Sequence, residues 1–168
     1  MSKATPRTRR EWIYETVYAA VNATAEFRGK VARTMQGKNV ALPSARVMIM
    51  PDVMATGGAV SESGEVGLGQ VDGTTGVAVY IKFKEMNDAT DDGIVIEAES
   101  YLIDVVEQAL YGIAQQQRDF SADGGAGDYT VMINGATVTS SGAVEVDFGG
   151  SVQIVTVVQG VVDWTQLF

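Results

Sequence analysis

A chain of 168 residues with 12 basic and 21 acidic side chains, a formal charge of -9, suits one domain that buries roughly two-thirds of its unfolded surface. It has no cysteine and no histidine, which excludes disulfides, thiolate metal sites, cysteine nucleophiles and the imidazole that serves most often as general base or zinc ligand. Apolar content is 46% without any run near the roughly 20 residues of a bilayer span, and the acidic balance argues against broad nucleic-acid binding.

The opening MSKATPRTRREW is basic without an apolar stretch behind it. It is therefore not read as a secretory signal, and synthesis in a cytoplasm is expected. Residues 1–9 form a basic arm suited to phosphate or to a partner surface. From Arg10 to Phe27 the positions Ile13, Val17, Ala20, Val21 and Phe27 recur at helical spacing, Thr24 interrupts the stripe, and Gly29 supplies a stop. GKVARTMQGKNVALP then reads as a connector with short extended pieces, and SARVMIMPD as a short strand covered on both faces.

Residues 52–76, rich in Gly, Ser and Thr, are expected to form a long protruding loop or hairpin that makes contacts with partners. Their GEVGLG lacks the G-x-G-x-x-G spacing of a dinucleotide fingerprint, and there is no phosphate-cradling G-x-x-x-x-G-K-[ST]. In GVAVYIKFKEM, Val77, Val79, Ile81 and Phe83 alternate with Ala78, Tyr80, Lys82 and Lys84, the pattern of a strand with one buried face.

NDATDDGIVIEAE, at 87–99, approaches a calcium-binding loop, with Asp88, Thr90, Asp92, Gly93 and Glu99 at the key places. Thr90 offers only a neutral hydroxyl and a strand precedes the loop where a helix is needed. An acidic corner that turns a strand into a helix is the simpler reading, since acids favour a helix N-terminus. The helix that follows has Ala98, Leu102, Val105, Ala109 and Ile113 in one stripe, widened by Tyr101, Val106 and Leu110. Glu97, Asp104 and Glu107 lie mostly opposite, as a solvated face or a subunit contact. GIAQQQRDFSADGGAGD reads as a second loop. Asn134-Gly135 predicts a two-residue β-hairpin, VEVDF a further strand, and VQIVTVVQGVV, apolar in both registers, a central strand buried on both faces. The sum is one α+β domain, 1–168: a mixed, mainly antiparallel β-sheet flanked by two α-helices, with a Gly-rich loop or hairpin and a C-terminal β-hairpin.

This order of elements resembles the tail terminator, or tail completion, proteins of long-tailed bacteriophages. The likeness is carried by the helix RREWIYETVYAAVNATAEF, the basic connector KVARTMQGKN, the strand ALPSARVMIMPD introduced by Leu-Pro, then GVAVYIKFKE, IEAESYLIDVVEQALYG and SVQIVTVVQGVV. The insert 52–76 and the Asn134-Gly135 hairpin lie outside that plan. The resemblance implies a structural virion protein rather than an enzyme: a homo-oligomeric ring, commonly of six copies, at the head-proximal end of the tail. Such a ring is assembled in the host cytoplasm, binds the tail tube protein on one side and a head-tail connector or neck protein on the other, and lets DNA pass without reading it. It implies no cofactor, no catalytic or metal residues and no membrane. The alternatives are another neck, connector or tube subunit, a small enzyme using carboxylates or a serine of 61–63 with Lys82 or Lys84, or a calcium-binding module.

A closed ring needs two different, complementary patches on each subunit. The nominated contact residues are Arg7, Arg9 and Arg10 on the arm, Arg33 and Lys38 on the connector, and Met54, Val60, Glu62, Glu65, Leu68 and Asp72 on the long loop. Opposite charges there are expected to pair between neighbours, and the apolar residues to supply most of the affinity, because exposed ion pairs contribute only about 0–1 kcal/mol each.

Overall fold

The computed structural model describes residues 5–33, 42–54, 69–82, 92–121, 128–147, 150 and 152–168. In chain order these form α1 (Arg9–Ala23), β1 (Val31–Ala32), β2 (Ser44–Met54), β3 (Gln70–Lys82), α2 (Asp92–Tyr111), β4 (Gln117–Asp119), β5 (Thr130–Asp147) and β6 (Val152–Leu167). Among the described residues the strands make one six-stranded sheet in the order β1-β2-β3-β6-β5-β4. Only β1 and β2 run parallel, so the fold is α+β with a mixed, mostly antiparallel sheet.

Thr8 starts α1: its hydroxyl accepts from the Glu11 amide at 3.2 Å, while the Glu11 carboxylate accepts from the Arg7 amide at 2.8 Å. Two otherwise orphaned N–H groups are thereby satisfied. The helix ends at Ala23, one turn before the expected Phe27. Thr24 takes an extended backbone and its hydroxyl donates to the Val21 carbonyl, which competes with helix continuation. Gly29, at φ 74°, then turns the chain with its amide on the Asn22 side chain. Phe27 is nonetheless fully buried.

Both helices lie on one face of the sheet. Trp12, Ile13, Val17 and Val21 of α1 and Leu102, Val106 and Leu110 of α2 pack with Val47, Val77, Val79, Ile81, Val131, Ile133, Val158, Val162 and Trp164 in a single core. The α2 stripe is therefore rotated from expectation: Val106 is central, whereas Ala98 and Tyr101 are exposed. The Tyr101 hydroxyl donates to Glu26 and so ties α2 to the turn after α1. On the opposite sheet face Ala78, Val155 and Val157 are buried with Met48 and Tyr80 in a second, smaller cluster. β6, internal to the sheet and apolar in both registers, is covered on both sides as its sequence predicts.

Four expectations are corrected. Residues 52–54 and 70–76 are not loop but strand, with Asp52 opposite Thr75 and Met54 opposite Gly73; residues 55–68 lie outside the described ones. The predicted second loop contains β4 and the buried Phe120, whose ring stacks on Tyr129 at 4.8 Å. Asn134-Gly135 makes no turn: β5 runs through it, with a register shift between Ile133 and Gly135, and pairs with β6 to Asp147 opposite Val152. A bulge absorbs the extra residue without reversing the chain. Finally, Asp92 begins α2, so Asp92, Gly93 and Glu99 are helical, and the Glu99 carboxylate accepts from the Thr156 hydroxyl at 2.7 Å. A calcium loop would need those ligands on irregular backbone. Residues 83–91, which include Phe83, Lys84, Asp88 and Thr90, lie outside the described ones.

Candidate functional site

Chemistry-bearing side chains gather at the end of the sheet where β2 finishes and β3 begins. On the helix face the Arg9 guanidinium lies 3.7 Å from the Trp164 ring centroid, donates to Gln166 Oε1 at 2.6 Å and to Asp52 Oδ2 at 2.9 Å. Arg10 donates to Asp52 Oδ1 at 3.1 Å and to the Met50 carbonyl at 2.6 Å. Thr75 donates to the same Asp52 oxygen at 2.7 Å and accepts from the Trp164 indole at 3.0 Å. Burial opposes the charge on Asp52, whose side chain is only 16% exposed, but the Thr75 hydroxyl and the two guanidinium groups outweigh it and hold the carboxyl below its usual range.

Gly73 makes room for this arrangement. A Cβ there would stand 2.4 Å from the Trp164 ring, so only glycine lets the indole lie across β3. On the opposite face a polar ladder crosses three strands: Asn134 donates to the Thr165 hydroxyl at 2.9 Å, Thr165 donates to Asp72 at 2.6 Å, and Gln70 donates to the other side of Asp72. These hydrogen bonds, from Thr165 first and Gln70 second, lower the Asp72 pKa. Around the rim Val53, Leu167 and Phe168 are 68%, 41% and 63% exposed, an apolar fringe at the tip of an otherwise polar end.

Of the nominated contact residues, Arg7, Arg9, Arg10, Met54 and Asp72 fall on this end. Arg9 and Arg10 spend their charge within the subunit, and Arg7 caps α1 through its backbone amide. Met54 pairs through its backbone with Gly73. Arg33 sits elsewhere, beside α1: it forks onto the Glu15 carboxylate and stacks 3.8 Å over the Tyr18 ring. Lys38, Val60, Glu62, Glu65 and Leu68, like the serines of 61–63, lie outside the described residues. Sequence reading passed over Asp52, Thr75, Trp164 and Gln166, and also Val53, Leu167 and Phe168. The closing WTQLF was the one available signal, since aromatic and polar residues alternate there.

A cleft of about 800 Å³ opens between α1, the end of α2 and β4, floored by Ala19, Ala20, Ala23, Ala109 and Gly112. Its ionisable lining is Glu15, held by Arg33, and Arg118. That combination offers a small-residue groove rather than a nucleophile with a base. Among the described residues no three carboxylates cluster to hold a metal ion, and no helix is long and apolar enough to cross a membrane. The chain matches no protein-family model and no curated protein.

Proposed function

We propose that the chain is a structural subunit of a tailed-bacteriophage virion, a tail terminator whose ring caps the tail tube and joins tail to head. The observation that carries this reading is the order of elements: a capped N-terminal helix, a strand after Leu-Pro, a long strand, an acid-flanked helix and a final central strand, the plan of the resemblance described above. The site fits a docking role better than a chemical one. Its charges are consumed in holding α1 to the sheet end, while exposed Val53, Leu167 and Phe168 offer the kind of apolar anchors that supply affinity at interfaces. An acidic ring, at -9 per subunit, also suits a channel that DNA must cross without sticking.

Negative-stain microscopy of the purified full chain, with antibody labelling of phage particles, tests the proposal. Rings with an open centre, and label at the head-proximal tail end alone, are the expected result. Label repeated along the tail would make the chain a tube subunit instead, and a monomer absent from particles would end the virion reading.

A further inference from the structure

The two long edges of the sheet are treated unequally. Along β2 the edge is blunted three ways: β1 covers Ala45 and Arg46, the register shifts between Ile49 and Asp52 with Pro51 lacking an N–H, and Arg10 donates to the Met50 carbonyl. Along β5 the partner β4 reaches only Thr130–Met132. Beyond it β5 keeps an uninterrupted register with β6 from Ser140 to Asp147. Alternate backbone groups of that run point away from β6, and among the described residues nothing meets them. Ser140, Ser141, Ala143, Val144 and Glu145 are all exposed.

We infer that the 140–147 edge of β5 is an interaction surface that pairs antiparallel with the same edge of a second copy of this chain. Small side chains let two such strands approach, and one register is self-complementary. Centred on Ala143, it sets each Glu145 opposite a Ser141 and brings Asp147 to the bulge at Thr139, so that no acid faces an acid. On the other face it lays Val144, 39% exposed, over Gly142, where a Cβ would have no neighbour within 4 Å. The two acids do not forbid pairing; they select this register over its slipped alternatives. Head-to-tail growth through β2 is closed by its blunted edge, which leaves like-with-like pairing and a two-fold contact.

Sedimentation equilibrium of the full chain tests this with two substitutions of opposite sign. Ser141→Glu puts like charges opposite each other twice per dimer and is expected to raise the dimer Kd about threefold or more, whereas Ser141→Lys pairs with Glu145 and lowers it. Ala143→Pro, which removes an edge N–H, is expected to abolish the dimer with the urea midpoint retained. A monomeric wild type, or Ser141 variants that shift Kd in the same direction or not at all, overturns the inference. It stands apart from the virion reading: rings indifferent to Ser141 sink the edge contact alone, and dimers that respond to it but never form rings sink the terminator alone.

Discussion

Asp52 is the residue on which the helix-to-sheet attachment turns, because it accepts from Thr75, Arg9 and Arg10 at once. Asp52→Asn keeps the shape but leaves a half-buried guanidinium without its counter-charge, a loss of about 2 kcal/mol in urea unfolding. The same group sets a pH dependence. Its folded pKa lies below the ordinary 3.8, so its contribution is complete above that value and is lost as pH falls through the folded pKa. The variant should show a flatter stability profile below about pH 4 than the wild type. Gly73 is the second sensitive position. Gly73→Ala drives a methyl into the Trp164 ring and is expected to cost about 2 kcal/mol, with a changed Trp164 fluorescence measured in a Trp12→Phe background.

At the scale of elements, the strongest local signal misled. Asn-Gly between alternating apolar residues is hairpin chemistry when nothing else intervenes, but β6 offers β5 a partner along its whole length, and that ladder outweighs one turn preference. Gly135 consequently has no positive φ and open space around its Cβ position. Gly135→Val is therefore expected to leave stability unchanged or raise it by up to about 1 kcal/mol, where a type I′ turn would be badly strained; thermal unfolding decides between them. What was legible follows the same logic. The periodicity of α1, of β3 and of α2 reports burial directly, and the double-register apolarity of β6 announced its central place. The roles of Arg9 and Arg10 were not legible, since their partner Asp52 lies more than forty positions away and only the folded sheet brings it near. Nor was the β2–β3 extension, because Gly, Ser and Thr in a strand look like a loop until a neighbouring strand pairs them.

For the whole molecule, charge decides how copies meet. A -9 subunit repels its own kind, and ion pairs between subunits would have to overcome that repulsion. The sequence offers 12 basic residues against 21 acidic ones, and Arg9, Arg10 and Arg33 already spend their charge inside the subunit. An interface built on the exposed Val53, Leu167 and Phe168, or on a β5 edge, draws its energy from apolar burial and backbone hydrogen bonds, which salt does not screen. Raising NaCl from about 0.05 M to about 0.5 M shortens the Debye length from roughly 14 Å to about 4 Å and removes the repulsion alone. Self-association should therefore strengthen with salt, seen as a larger weight-average mass by light scattering at constant protein concentration. A mass that falls with salt would instead place attractive ion pairs between subunits, and would return the arm and its arginines to the interface.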